Sequence, residues 1–261
     1  MQLRADLTDD KLVKYNTPYG DVYIDAEHPI AAIKLSGGWD SAVLCYLIAH
    51  ANQKFDLKIK IQQLTVNRRN LTPNRMLNRV NNGIVATNVE LFVKEHFQKQ
   101  QFIFNIILDA DYWWCENIKK ENSYLYQQRT AEAWALKQAS ENNYNISLYS
   151  GTTLNPPPGS IEDSPETHRD CKLDTIENSA GVVRYFDYEK IKLKDIEPFR
   201  NADKRITMWL AHQLGITDDL KRITRSCEGD TFLTKNFTQD CMQCWWCKEK
   251  HWALENYEKD K

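Results

Sequence analysis

The sequence predicts an α/β fold, a doubly wound parallel sheet that is followed by a small C-terminal module. Strand-like apolar runs alternate with amphipathic helical segments over residues 30–150, and this order produces parallel sheets with right-handed crossovers. Four cysteines cluster over residues 227–247, close to the end of the chain. We therefore expect an N-terminal extension over residues 1–29, an α/β domain over residues 30–196, and a helical part with the cysteines over residues 197–261.

The individual elements follow from hydrophobic periodicity and from turn residues. Apolar segments on either side of a Pro-Tyr-Gly-Asp turn predict an N-terminal hairpin, at residues 12–15 and 22–24. Further strands are predicted at residues 30–35, 57–64, 102–108 and 146–149. The second of these should have one face that is more exposed to solvent, and the third should be buried. Helices are predicted at residues 40–51, 87–98 and 124–142, the last with Ala131, Trp134, Ala135 and Gln138 on one face. A polar, proline-rich loop is predicted at residues 155–180.

The most informative segment is Ser-Gly-Gly-Trp-Asp-Ser at residues 36–41, between a predicted strand and a predicted helix. Glycine allows the backbone to approach an anion, and the free N–H groups of a helix start favour negative charge. Ser36 and Ser41 add hydroxyl donors, whereas Asp40 suits a phosphate site only if Mg²⁺ lies between the two. This spacing is not that of the Walker loop, which needs a lysine before the Ser or Thr. The alternative interpretation is an ordinary glycine turn.

The second signal is the cysteine spacing C-x13-C-x2-C-x2-C, formed by Cys227, Cys241, Cys244 and Cys247. Thiolates two residues apart can bind one cation, and four of them complete a tetrahedron around a structural Zn²⁺. The C-x2-C-x2-C part also occurs in iron–sulfur ligation, so a cluster is an alternative. Disulfides and core cysteines are further alternatives. Because the sequence shows no secretory signal, we expect a reducing, cytoplasmic environment and a metal site.

Composition limits the classes of function. The formal net charge of −2 argues against broad nucleic-acid binding, although it allows a local basic patch. No apolar run approaches the roughly 18 residues that a membrane span needs. These features predict a soluble enzyme without a membrane partner, and they leave homodimer formation open.

Residues 36–41 resemble the SGGxDS loop of the PP-loop ATP pyrophosphatases, which cleave ATP between the α and β phosphates. Together with the C-terminal cysteines, this loop makes the chain similar to the 7-cyano-7-deazaguanine synthase family. That similarity extends to Glu197-Pro198-Phe199 before a helix with Lys204, and to Thr224-Arg225-Ser226-Cys227. It covers roughly residues 30–60 and 197–250 and is loose between them.

The resemblance implies an ATP-dependent C–N ligase that joins a deazapurine carboxylate and ammonia in queuosine-type nucleoside biosynthesis, with Mg²⁺ and Zn²⁺ as cofactors. The residues that it implies for ATP binding are Leu35, Ser36, Gly37, Gly38, Trp39, Asp40, Ser41, Arg129 and Gly151. The catalytic residues would be Ser36, Asp40, Ser41 and Lys204, and the zinc ligands would be the four cysteines. Two further candidates for phosphate or substrate contacts are Arg68-Arg69 and Asp170-Cys171.

Two rival functions remain open from the sequence. The first is another PP-loop enzyme, which would insert sulfur into a tRNA base or direct deazaguanine chemistry to DNA or protein. An iron–sulfur cluster and a basic surface would favour this rival. The second is a non-catalytic binding module that retains the loop as a relic.

Overall fold

The computed structural model describes residues 2–72, 75–79, 82–113, 124–161, 178–188, 191–227, 234–235 and 239–258. The strands are β1 (Arg4–Leu7), β2 (Leu12–Asn16), β3 (Val22–Asp25), β4 (Ile30–Lys34), β5 (Lys60–Thr72), β6 (Arg75–Arg79), β7 (Gln101–Phe102), β8 (Ile106–Trp113), β9 (Ile146–Tyr149), β10 (Val182–Tyr188) and β11 (Ile191–Glu197). The helices are α1 (Trp39–Phe55), α2 (Asn82–His96), α3 (Tyr124–Glu141), α4 (Arg205–Gln213), α5 (Thr217–Ile223) and α6 (Trp245–Asn256). Within these ranges, no helix combines the length and the apolar character that crossing a bilayer requires.

The large sheet has eight strands, and its central strands are parallel. Strand β4 pairs in parallel with β5 on one side and with β9 on the other. Beyond these, β8 adds in parallel to β5, and β11 adds in parallel to β9. Antiparallel pairing occurs at β6 and β10. The prediction of a parallel α/β sheet is therefore confirmed.

Helices cover both faces of this sheet. Side chains of β4 alternate between two cores, with Ala31 and Ile33 packed among residues of α1, α2 and α4. Ile30 and Ala32 instead belong to the core that includes α3. Because successive side chains of a strand point to opposite faces, this division places α3 on one face and the other three helices on the opposite face. The fold is thus doubly wound, as the sequence predicts.

Three details differ from the sequence-based expectations. The sequence predicts that one side of the strand at residues 57–64 is more exposed to solvent. This prediction is wrong at Gln62, which is buried because helices cover both faces of β5. Trp134 is 59% exposed, because α3 packs through Ala131, Ala135 and Ala139 and small residues allow close approach to the sheet. The single strand predicted at residues 102–108 is two strands, β7 and β8, and Phe104 between them is about half exposed.

The chain order creates a switch point beside β4. After β4 the chain forms β5 and then β8 on one side, and it later returns to form β9 and β11 on the other side. In open α/β sheets, ligands bind at such points, in the crevice outside the carboxyl ends of the strands. The segment that follows β4 is the Ser-Gly-Gly-Trp-Asp-Ser sequence at residues 36–41, hereafter the glycine loop.

A separate three-stranded antiparallel sheet precedes the large sheet. The predicted hairpin corresponds to β2 and β3, and β1 adds to it as a further strand. A buried polar network joins this sheet to the large one through Asp25, the last residue of β3. Its Oδ2 accepts a 2.7 Å hydrogen bond from Ser147 Oγ, and its Oδ1 lies 2.5 Å from Lys194 Nζ. Tyr149 Oη accepts a 2.8 Å hydrogen bond from the Asp25 N–H.

Replacing Lys194 should therefore destabilise the fold. Lys194→Met leaves the Asp25 carboxylate, whose side chain is 1% exposed, without its cation. Uncompensated buried charges of this kind cost about 3–5 kcal/mol in unfolding free energy, which urea denaturation would measure. Lys192→Met is the matched control, because Lys192 lies exposed on the same strand. Equal stability of the two variants would show that the network contributes nothing.

Candidate functional site

The glycine loop turns sharply between β4 and α1. Leu35 ends the strand by pairing with β5, since its N–H donates to the Leu64 carbonyl oxygen at 2.9 Å. Gly37 has φ +74°, and a Cβ there would lie 2.7 Å from Val85 Cβ in α2. Any other residue would be strained and would clash, so glycine is required. Gly38 then begins α1 and has no capping side chain of its own, while the Gly38 N–H donates to Ser36 Oγ at 3.3 Å. The N–H groups and the dipole of a helix start favour an anion at this place.

The predicted ATP residue Gly151 lies directly against this helix start. A Cβ on Gly151 would be 3.0 Å from the Asp40 carbonyl carbon and 3.0 Å from the Ser41 nitrogen. The carboxyl end of β9 therefore packs backbone to backbone on α1, at the switch point. Ser36 and Ser41 meet at the same place, with 3.3 Å between their hydroxyl oxygens.

Both carboxylate oxygens of Asp40 have partners from α4 and the residue before it. Lys204 Nζ contacts Asp40 Oδ2, and Thr207 Oγ1 donates to Asp40 Oδ1 at 2.8 Å. The Lys204 side chain is 3% exposed and that of Asp40 is 17% exposed, so this ion pair is largely buried on the lysine side. A second carboxylate oxygen, Glu249 Oε2, lies 3.4 Å from Lys204 Nζ and belongs to α6. The structure thus brings the predicted catalytic residues Asp40 and Lys204 together.

The segment that precedes the cysteines also binds the glycine loop. The Arg225 N–H donates to the Gly37 carbonyl oxygen at 3.0 Å, and the Trp39 N–H donates to Ser226 Oγ at 3.2 Å. Lys250 Nζ lies 5.7 Å above the Trp39 ring and forms a 2.9 Å ion pair with Asp240. The cysteine-containing part and the loop therefore form one contiguous structure.

The four predicted zinc ligands converge in space. The Sγ atoms of Cys227, Cys241, Cys244 and Cys247 all lie within 4.8 Å of one another. Two of these separations, Cys241 to Cys247 and Cys244 to Cys227, are 3.9 Å. A tetrahedron with Zn–S bonds of about 2.3 Å has S···S edges of about 3.8 Å, so the cluster suits one ion. Hydrogen bonds to the Cys227 and Cys244 sulfurs, together with burial, raise the pKa of the Cys247 thiol, and a bound cation would offset this.

The remaining predicted residues lie in positions that are less suited to contact a ligand at the glycine loop. The side chains of Leu35 and Trp39 are fully buried, so only their backbone can face a ligand. Arg129 is exposed on α3 and makes no hydrogen bond to the glycine loop, although both are described. Arg68-Arg69 lies in β5, beyond the part that pairs with β4. Asp170-Cys171 lies outside the described residues.

Two residues that the structure places at the site, Thr207 and Glu249, are not among those that the sequence predicts. Thr207 follows Lys204 by about one helical turn, which is the spacing that allows both to reach one carboxylate. Glu249 comes two residues after the last cysteine. Neither position has a local pattern that distinguishes it from an ordinary helical surface.

Comparisons with known proteins find similarity among solved structures only. No protein-family model matches the chain, and no curated protein matches it. Among solved structures, the U34-tRNA thiolase NcsA from Methanococcus maripaludis, determined with its [4Fe-4S] cluster, is similar over 89% of this chain and 72% of its own length. The two sequences are 15% identical and the TM-score is 0.36.

Removing one thiol of the cluster should release the metal and destabilise the protein. Metal-site formation in small zinc modules is worth roughly 10–16 kcal/mol, so Cys244→Ser should lose its metal and melt at a lower temperature. Elemental analysis and circular dichroism would measure the two effects. The control is Cys45→Ala, because Cys45 is a buried thiol in α1 outside the cluster. A Cys244→Ser protein with unchanged metal content and melting temperature would contradict the assignment of these ligands.

Proposed function

We propose that this chain is an ATP pyrophosphatase of the PP-loop type, which cleaves ATP between the α and β phosphates to activate an acceptor. One observation carries the proposal. The SGGxDS-like loop lies at the switch point of a doubly wound parallel sheet, with Asp40 and Lys204 paired at the start of α1. The rival view of a non-catalytic module with a relic loop gives no reason for this buried pair at the loop.

The loop residues have distinct roles in this proposal. The backbone N–H groups around Gly37 and Gly38, with the hydroxyls of Ser36 and Ser41, receive the pyrophosphate as its negative charge develops. Asp40 provides a carboxylate for Mg²⁺, which neutralises phosphate charge when bound. Lys204 supplies the nearby cation.

The cysteine cluster is proposed to bind one structural Zn²⁺. Four thiolates leave no open coordination position, which is typical of structural zinc sites. A four-iron cluster would distribute the four thiolates over separate iron atoms, whereas the sulfur separations of at most 4.8 Å suit a single ion. Arg225 and Ser226, which directly precede Cys227, form hydrogen bonds with the glycine loop. The metal would therefore stabilise the conformation of this loop.

The proposed reaction converts 7-carboxy-7-deazaguanine and ammonia to 7-cyano-7-deazaguanine. ATP first adenylates the carboxylate and releases pyrophosphate, because hydroxide is a poor leaving group and AMP is a better one. Ammonia attacks the carbonyl carbon, AMP leaves, and the amide forms with release of a proton. A second ATP adenylates the amide oxygen and releases another pyrophosphate, and loss of AMP with the two N–H protons gives the nitrile. The support is the family resemblance at Glu197-Pro198-Phe199, Lys204 and Thr224-Arg225-Ser226-Cys227.

ATP should be cleaved to AMP and pyrophosphate, and Asp40→Asn should lower turnover roughly 10²–10³-fold, as loss of an electrostatic stabiliser typically does. Chromatography of the nucleotides after incubation with Mg-ATP, ammonium and 7-carboxy-7-deazaguanine would measure this. Mass spectrometry of the same reaction should detect the nitrile, with the amide as intermediate. Asp218→Asn is the control, because that side chain is 95% exposed on α5. ADP as the product would contradict the loop assignment, and AMP formation without nitrile or amide would contradict the substrate.

A second candidate function, a nucleic-acid acceptor, is favoured by one charge pattern. Residues 57–89 contain no Asp or Glu, although the whole chain is slightly acidic. Their basic residues are Lys58, Lys60, Arg68, Arg69, Arg75 and Arg79. Strands β5 and β6 pair beyond the carboxyl end of β4, with Arg68 opposite Arg79 in register. A segment with several basic and no acidic residues is typical of chains that bind a polyanion.

If the acceptor is a nucleic acid, replacing Arg68 and Arg69 by Gln should lower the affinity for unfractionated tRNA. The same replacement should reduce the salt dependence of that affinity. Each lost phosphate contact should lower the slope of log affinity against log salt by roughly 0.7–0.9. Fluorescence anisotropy with labelled tRNA over a salt series would measure this. Lys137→Gln, an exposed lysine on α3, is the control. Absence of tRNA binding by the unmodified protein at about 50 mM salt would exclude this candidate.

A further inference from the structure

Lys204 is shared between two carboxylates that belong to different parts of the chain. Its ammonium contacts Asp40 at the start of α1, and it also lies 3.4 Å from Glu249 Oε2 in α6. The side chains of Lys204 and Glu249 are 3% and 0% exposed, so water cannot replace either partner. The adjacent cation, Lys250, is already paired with Asp240 at 2.9 Å. Lys204 is therefore an ammonium positioned to balance the charge of Glu249.

The two oxygens of Asp40 are both engaged in this structure. Oδ2 contacts Lys204, and Oδ1 accepts the hydrogen bond from Thr207. To give an oxygen to Mg²⁺, as the proposed function requires, Asp40 must release one of these partners. Mg²⁺ and an ammonium repel each other, so Lys204 is the group that must move. A buried ammonium without a counter-charge is strongly unfavourable, so the displaced Lys204 needs another carboxylate nearby.

We propose that Glu249 is a positioning residue that holds Lys204 when Asp40 turns to Mg²⁺. This inference rests on the proposed function. Loading of Mg-nucleotide then releases the Lys204 ammonium from Asp40 and moves it towards Glu249, so the buried ammonium keeps a counter-charge. Because Glu249 lies on the same helix as Cys247, the cysteine-containing part takes a direct part in loading the nucleotide site.

The test is the Mg²⁺ dependence of nucleotide binding in Glu249→Gln. An ATP analogue with a methylene bridge between the α and β phosphates allows binding to be measured by calorimetry without turnover. We expect the Mg²⁺ concentration for half-maximal binding to rise about tenfold or more, because the displaced Lys204 would lack a carboxylate. Affinity for the analogue without Mg²⁺ should change less than about twofold, since Lys204 then remains on Asp40. Glu249→Asp, which retains the carboxylate, should restore part of the Mg²⁺ response.

The matched control is Glu255→Gln, an exposed carboxylate on the same helix, which should behave as the unmodified protein. Metal content and melting temperature are measured for each variant, because Glu249 lies near the cysteine cluster.

Equal weakening of binding with and without Mg²⁺ would show a merely structural role for Glu249 and overturn the inference. If Glu249→Gln does not fold, an unchanged Mg²⁺ response of Glu249→Asp overturns it, because the shorter side chain draws the carboxylate away from Lys204. If the unmodified protein does not bind the analogue at all, the proposed function itself is wrong.

Discussion

The buried contact between Lys204 and Asp40 is the interaction on which the rest of the site depends. A charge that is removed from water must be compensated locally, and this pair is formed between residues 164 positions apart in the chain. It fixes the start of α4 against the start of α1. Glu249 extends the same constraint to α6, and the hydrogen bonds of Arg225 and Ser226 complete it around the glycine loop. The loop conformation is thus determined by tertiary contacts as well as by its glycines.

The sheet could be predicted because its signals are local. Strand β9 was expected at residues 146–149 and occurs at Ile146–Tyr149, since a short apolar run between a helix and a glycine has few other interpretations. The exposure of Trp134 could not be predicted, because a helical pattern with both small and large apolar residues does not indicate which of them faces the sheet. Burial of Gln62 depends on α3, which comes later in the chain, and therefore on contacts that no local pattern contains.

The residues of the candidate site likewise divide into those that a local sequence pattern identifies and those that it does not. The glycine loop and the four cysteines are compact patterns whose chemistry requires particular residue types at fixed spacing, so sequence alone identified them. Lys204 was identified through a family resemblance, and the structure places it on Asp40. Thr207 and Glu249 act through three-dimensional proximity, and a threonine or a glutamate in a helix is otherwise unremarkable. Physical reasoning from sequence therefore finds the groups that would contact phosphate or metal sooner than the groups that support them.

The dispersion of these residues along the chain has a consequence for protein synthesis. The glycine loop leaves the ribosome before Ser226, Glu249 and the cysteines do. Domains form as the chain emerges from its N-terminus, so a nascent chain can build the central sheet while the loop still lacks these contacts. The loop would acquire its final conformation only after Ser226 and Glu249 have emerged and folded against it. A chain that stalls between the loop and these residues would then carry the loop without the contacts that hold it.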